Sequence, residues 1–298
     1  MTDNEDSLIE EMREIVERHA NQSRTPTTLE GLTLFQLHDS FRAFHTVYNP
    51  RLCVVLRGAK EVSLGDQTFA ADEAAFLLVT VDLPVLSKVF RASDGRSHLA
   101  FTSDLDRHLL VDVLQKLPPS IDIPEETPAG VIAVPMRPPM LSAFARLLRL
   151  LDSSDDARFL RPLVLQEIYY QLAKMGLGNI LAQFASAGTR LSQLGKATAW
   201  IKSNYREPMS VEALANLVGM SLSSFHRHFK AVTLMTPLQY RTQVRLQEAR
   251  RMLLTERISA GQAAAAVGYD SQSQFSRDYK RMFGAPPYHD AAKLLRAS

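Results

Sequence analysis

The last third of this chain carries one unit twice, and that duplication limits the fold more than any other feature. The first copy runs through Met209-Ser210, Leu214-Ala215, Val218-Gly219, Phe225, Arg227, Phe229-Lys230 and Pro237. The second runs through Ile258-Ser259, Ala263-Ala264, Val267-Gly268, Phe275, Arg277, Tyr279-Lys280 and Pro287. From the phenylalanine to the proline the offset is 50 residues, and before the glycine it is 49, so the second copy has one extra residue in its turn. Each copy reads as a short helix, a turn at glycine and a second helix. That second helix has an aromatic face and a polar, basic one, the pattern of a helix-turn-helix that lays its second helix in a DNA major groove.

The chemistry supports that reading. The first helix needs a small residue where the second packs against it, and Ala215 and Ala264 supply one. The turn needs a residue that accepts positive φ, met by Gly219 and Gly268. Phe225 with Phe229, and Phe275 with Tyr279, form the faces to be buried. The opposite faces carry Ser223, Ser224, His226 and Arg227 in the first unit, and Gln272, Ser273, Gln274 and Arg277 in the second. Arginine can grip guanine with two hydrogen bonds, and glutamine adenine. Lys230 and Lys280 fall where a phosphate contact is expected. Arg241, Arg245, Arg250 and Arg251 lie on the helix between the units, where phosphate contact competes with ion pairing along an exposed face. That helix, read as 237–254, spans roughly 27 Å at about 1.5 Å per residue. The two reading helices can then stand about one DNA turn (~34 Å) apart.

Charge divides the chain the same way. Residues 188–298 hold 16 Lys and Arg against 7 Asp and Glu, while residues 1–187 hold 18 against 25. Only the C-terminal part is suited to a polyanion.

The remainder reads as a different domain. Ser7 and Glu10 have the form of a capping box for a helix over 7–20, with Leu8, Met12, Ile15 and Val16 on one face. Residues 31–103 read as short β-strands: Leu52–Leu56, Glu61–Leu64 turning at Gly65-Asp66 into Gln67–Phe69, then Ala74–Val79, Val85–Phe90 and Leu99–Phe101. Short strands and tight turns predict a small antiparallel barrel or sandwich. The period becomes helical from Asp104 to Leu117, before Pro118-Pro119. Residues 118–139 hold seven prolines and read as an extended connector. Two apolar helices follow at about 140–151 and 160–175, then a short one near 180–187, with the domain boundary at Gly188.

Seven helices are expected after that boundary, at about 191–204, 210–218, 221–233, 237–254, 259–267, 271–283 and 287–295, with Ser210 and Ser259 as N-caps. Cys53 is the only cysteine, so no internal disulfide can form and CxxC metal sites are excluded. The acidic start without a signal-peptide pattern, and the lack of a long apolar run, lead to the expectation of a soluble cytoplasmic protein with no membrane partner. The barrel region holds His38, His45 and His98 but no His-x-His, and there is no Ser-His-Asp signature, P-loop or GxGxxG. No catalytic residue, metal or cofactor is expected.

Ser210-x3-Leu214-Ala215-x2-Val218-Gly219-Met220-Ser221 and Val267-Gly268-Tyr269-x5-Phe275-Ser276-Arg277-x-Tyr279-Lys280-x2-Phe283-Gly284-x2-Pro287 resemble the DNA-binding domain of AraC/XylS bacterial transcription regulators. Pro286-Pro287-Tyr288-His289 departs from that family's Pro-x-x-aromatic-Arg ending, and Ala263 stands where a larger aliphatic is usual. The stretch Tyr48–Lys60, with Val81–Pro84 and Leu99–Phe101, resembles the cupin-like sensor half of one AraC subgroup.

The resemblance implies an α+β protein. Residues 1–187 would form a cupin-like antiparallel β-barrel with flanking helices, sensing an effector and dimerising through helices at about 140–175. Residues 188–298 would form an all-α domain of two helix-turn-helix units joined by a linker helix. It implies double-stranded promoter DNA, a second copy of the chain and RNA polymerase as partners. The base-contacting positions map onto Ser223, His226, Arg227, Gln272, Ser273, Gln274 and Arg277. Tyr48, Arg51, Lys60 and Phe76 are the candidates for lining an effector pocket at the barrel mouth, with Arg51 and Lys60 suited to an anion. The alternatives are a constitutive or partner-controlled regulator whose barrel only dimerises, and, remotely, a cupin enzyme.

Overall fold

The computed structural model describes residues 3–39, 41–117 and 129–297. Residues 118–128, the first half of the proline-rich connector with Pro118-Pro119, lie outside the described residues. The chain opens with helix α1 (Asp3–His19). Ser7 is therefore inside the helix and does not cap it. The acidic residues Glu5 and Asp6 instead occupy the first turn, where the helix dipole favours negative charge. Ile9, Met12, Ile15 and Val16 are all buried, and they are buried on the protein's own body.

Among the described residues ten strands follow, all paired antiparallel: β1 (Arg24–Pro26), β2 (Leu32–Leu37), β3 (Phe41–Tyr48), β4 (Arg51–Arg57), β5 (Ala59–Leu64), β6 (Gln67–Ala71), β7 (Ala75–Val79), β8 (Leu83–Phe90), β9 (His98–Asp104) and β10 (Val131–Pro135). They form two sheets, β1-β2-β9-β4-β7-β10 and β3-β8-β5-β6. The barrel is thus not closed by hydrogen bonds and is a two-sheet wrap. Gly58 makes the corner between the sheets at φ +85°, and a Cβ there would meet the Phe90 carbonyl oxygen at 2.4 Å, so only glycine fits. The apolar run of β4 is buried on both faces. One face looks across to the other sheet, and α1 covers the other, with α3 (Pro138–Arg149) meeting the neighbouring β7 and β9 through Phe144, which is why the run does not alternate. β10 corrects the expected connector: its residues pair with β7 from Val131↔Val79 to Pro135↔Ala75. It is an edge strand, so Pro135 removes no ladder hydrogen bond on the inner side.

Between β9 and β10 lies α2 (Arg107–Lys116), capped by Asp106 through hydrogen bonds from the His108 and Leu109 amides. After α3 comes α4 (Ser154–Leu172), separated from α5 (Gly178–Ala185) by a kink over Ala173–Leu177, where Gly176 takes φ 88°. α3 is buried along Met140, Leu141, Phe144, Leu147 and Leu148. α4 leaves Phe159, Leu160, Leu163 and Tyr170 exposed.

Seven further helices are α6 (Arg190–Ser203), α7 (Val211–Leu217), α8 (Leu222–Thr233), α9 (Pro237–Thr255), α10 (Ala260–Ala266), α11 (Gln272–Phe283) and α12 (Pro287–Ala297). Despite the altered ending motif, α12 still begins at Pro287. Two cores result. One is continuous from α1 through the sheets into α6–α8 and the first half of α9, and the other holds α10, α11 and the second half of α9. The first helix-turn-helix unit is therefore welded to the β-domain. Gly130 donates its amide to the Val232 carbonyl (2.8 Å), and the Tyr240 hydroxyl donates to the Asp82 carbonyl (2.7 Å). Among the described residues no helix is long and apolar enough to cross a membrane.

Candidate nucleic-acid interface

The two units match at the level of hydrogen bonds. Ser210 caps α7 by accepting from the Ala213 amide, and Ser259 caps α10 by accepting from Gln262 in a full capping box. The turns close with Met220 donating to the Ala215 carbonyl (2.9 Å) and Tyr269 to Ala264 (3.0 Å). Gly219 and Gly268 sit at φ +70° and +81°. Ser221 and Ser271 then cap α8 and α11. Ala215 and Ala264 are buried where each helix pair crosses.

The ends of the reading helices diverge, and the reason is the β-domain. Gly284 closes α11 in the left-handed region, while the equivalent residue of α8 is Leu234, at φ 55°. A non-glycine residue there is strained by about 1–2 kcal/mol. Leu234 is held by packing: a Cβ added to Gly65, in the turn between β5 and β6, would lie 3.0 Å from its carbonyl oxygen. A further difference is Tyr240 against Asp290, also 50 residues apart. Tyr240 reaches into the β-domain. Asp290 instead anchors its own unit, taking two hydrogen bonds from Arg250 (2.8 and 2.9 Å) and one from the Tyr279 hydroxyl (2.9 Å).

Phe225, Phe229, Phe275 and Tyr279 are fully buried. On α8, Ser223, His226, Arg227 and Lys230 are exposed at i, i+3, i+4, i+7 spacing and so share one face, with Ser224 half-buried beside them. On α11, Gln272, Ser273, Gln274, Arg277 and Lys280 are all exposed. Arg277, Lys280 and Lys230 have no ion pair among the described residues. Among the described residues Arg227 makes only a long contact to the His228 ring (3.4 Å), and that ring is held below its usual pKa by burial and then by Arg190 and Arg227.

The basic series on α9 has another role. Arg241 and Arg245 both donate to the Tyr205 carbonyl, and Arg245 also to Arg206. Arg251 pairs with Glu248 and Glu256. These side chains brace α9 against the 204–209 loop and against its own acids. The bracing acid Asp290 and the loop carbonyls of Tyr205 and Arg206 escaped sequence reasoning. A carbonyl leaves no sequence signal, and Asp290 could have been suspected only as a lone acid in an otherwise basic and apolar helix.

In the β-domain a cavity of about 300 Å³ opens between the sheets. Tyr48, Arg51 and Lys60 do line it, with Arg24, His98 and Thr102. Phe76 does not. It is on the opposite face of its sheet, fully buried, with its ring edge-on to Phe144 of α3 at 5.5 Å. His38, His45 and His98 do not converge, and among the described residues no three His, Cys, Asp or Glu side chains are grouped to hold a metal.

The family model for the AraC-type transcriptional regulator N-terminus matches residues 28–179, and one for a helix-turn-helix domain matches residues 214–292. The chain belongs to the AraC/XylS family of regulators. Among curated proteins it is similar to the transcriptional regulator AlkR of Acinetobacter baylyi, 38% identical over 97 residues, 33% of this chain and 32% of that protein. It is similar to the thermoregulatory protein LcrF of Yersinia pestis, 26% identical over 162 residues, 54% and 59% of the two chains. The chain thus spans about a third to three fifths of these relatives' lengths. Among solved structures it resembles apo ToxT from Vibrio cholerae, with a TM-score of 0.55 over 92% of this chain and 98% of that one. At 10% identity that likeness shows a shared fold.

Proposed function

We propose that this protein is a sequence-specific transcription regulator that reads promoter DNA with residues 188–298 and is controlled through residues 1–187. One observation carries the reading. Two units with matching serine caps, the same turn hydrogen bonds and equivalent buried aromatics each present an exposed polar row, serine, histidine and arginine in the first and glutamine, serine and arginine in the second. Nothing in the packing of either helix calls for those side chains. The 19 residues of α9 span about 28 Å, which suits reading helices set about one DNA turn apart on one face of the duplex.

The protein works in the cytoplasm as a homodimer. The apolar face for self-association belongs to α4, where Phe159 is 75% and Leu163 59% exposed. α3 has its apolar residues inside the protomer, so α4 is the part of 140–175 that supports a dimer. A small molecule in the cavity between the sheets gates the regulator, and RNA polymerase is its further partner at the promoter.

The test is a selection from random duplex DNA at moderate salt with the full chain. A bipartite motif with two short reading segments is expected. Retention of all sequences alike, with no enrichment, would overturn the proposal.

A further inference from the structure

We propose that the cavity between the sheets takes a small organic carboxylate, an anionic head on a compact apolar body, and that this is the effector of the regulator proposed above, on which reading the inference rests. The lining explains the choice. Arg24, Arg51 and Lys60 bring three cations to one cavity, and no carboxylate lines it. Lys60 is 7% exposed and has no ion pair among the described residues. Its ammonium stands over the Tyr48 ring at 5.1 Å and the Phe35 ring at 5.9 Å. Two aromatic faces and a hydrogen bond with the Tyr48 side chain offset only part of the cost of burying an ammonium without an anion.

Arg51 reaches Asp104 at 3.4 Å through one terminal nitrogen, but its buried Nε has no hydrogen-bond partner. The buried Thr102 hydroxyl has none either. Buried donors left unmatched in this way are rare and costly, and a carboxylate would satisfy them together. Beside these groups, Phe35, Leu37, Phe44, Val47 and Val89 form an apolar wall, broken by the polar Thr46, Asn49 and His98. An inorganic anion would leave that wall bare, whereas a short aliphatic or aromatic acid would cover it.

The same strand connects the cavity to the DNA-reading helices. β3 gives Phe44, Thr46 and Tyr48 to the lining. Between them His45 presents its ring edge-on to Phe283, the last residue of α11, at 4.8 Å. A ligand that shifts β3 therefore shifts the seat of the second reading helix.

The experiment titrates the full-length protein with benzoate and octanoate, alongside benzamide, octanol and inorganic phosphate, by calorimetry and thermal shift. At least one of the two acids should bind and raise the melting temperature. The uncharged analogues and phosphate should bind about tenfold more weakly or worse, as expected when a charge-assisted hydrogen bond is lost. Lys60→Met keeps the volume and removes the buried charge, so the ligand-free variant should melt no lower than the parent while losing the acid by about tenfold. Thr102→Val gives a second, independent readout and should also weaken the acid. Equal binding of acid and amide, or no effect of either variant, would overturn the inference, as would failure of both acids to bind. Acid binding that leaves affinity for the selected duplex unchanged would overturn the gating role alone. The regulator reading itself falls only if the DNA selection enriches nothing.

Discussion

Replacing Gly268 by alanine should disable the second unit, while the same change at Gly219 should be tolerated, although the two glycines hold equivalent places in the repeat. Both have positive φ, so both pay the left-handed penalty of about 1–2 kcal/mol for a residue with a Cβ. At Gly219 little is added, since the nearest atom to a new Cβ is the side-chain nitrogen of Gln193 at 3.6 Å. At Gly268 the Cβ would sit 2.5 Å from the Arg206 carbonyl oxygen and 2.7 Å from an Arg245 guanidinium nitrogen. The first is backbone and cannot rotate away. Relief requires moving the 204–209 loop or the turn, which breaks the Arg245 hydrogen bonds to Tyr205 and Arg206. Overpacking adds about 1–3 kcal/mol and the loss of charge-assisted hydrogen bonds about as much again, which with the left-handed penalty totals roughly 3–8 kcal/mol. The second unit has its own core, so the damage should be local. Native-state hydrogen exchange reads it directly: α10 and α11 amides should lose protection in Gly268→Ala, and α7 and α8 amides only slightly in Gly219→Ala. Equal losses, or a greater loss for Gly219→Ala, would refute the argument from the Arg206 carbonyl.

Three further outcomes follow from the same geometry. Arg277→Ala should cost about 1–3 kcal/mol of specific binding and relax sequence choice at one position, whereas Lys280→Ala should weaken all duplexes alike and lower the salt slope by about one; quantitative binding across salt and sequence separates the two, and reversed behaviour would exchange their roles. Phe159→Asp with Leu163→Asp should convert the dimer to a monomer by light scattering without lowering the protomer's melting temperature, because both side chains are exposed; an unchanged mass would remove α4 from the interface. Burial, and then Lys60, depress His98 from its ordinary 6.5 to about 4. The folded state thus stays neutral while the unfolded chain takes up a proton, so stability is whole above pH ~6.5 and declines as pH falls toward 4, by up to about 3 kcal/mol. Melting temperature against pH should show that decline, and His98→Gln should flatten it; a wild-type profile that is level or rises on acidification would contradict the assignment.

The parts of the fold legible in the sequence were those written in local spacing. The caps at Ser210 and Ser259, the two glycine turns and the i, i+3, i+4 faces of α8 and α11 are all decided within a few residues, and the structure shows them. The cavity residues Tyr48, Arg51 and Lys60 were legible because charge is unusual in apolar strands. Phe76 was not, because its face depends on α3 covering the sheet from outside, a contact made 68 residues away at Phe144. β10 was hidden by the prolines around it and by Pro135 within it, which an edge strand tolerates and an inner strand does not. The helix start at Ser7 failed for a local reason: the acidic residues before it extend the helix instead of preceding it. The seam between β-domain and first unit had no signal at all. The Tyr240–Asp82 bond joins residues 158 apart, and its acceptor is a backbone carbonyl.

The account stands most directly on two reading helices acting together, set apart by α9. The decisive measurement takes the duplex enriched by selection with the full chain and inserts about half a helical turn (~5 bp) between its two segments. Affinity should fall to the nonspecific level, and a further insertion to about one full turn should restore part of it. Equal affinity for all three spacings would contradict the paired reading that the repeat, its caps and α9 together require.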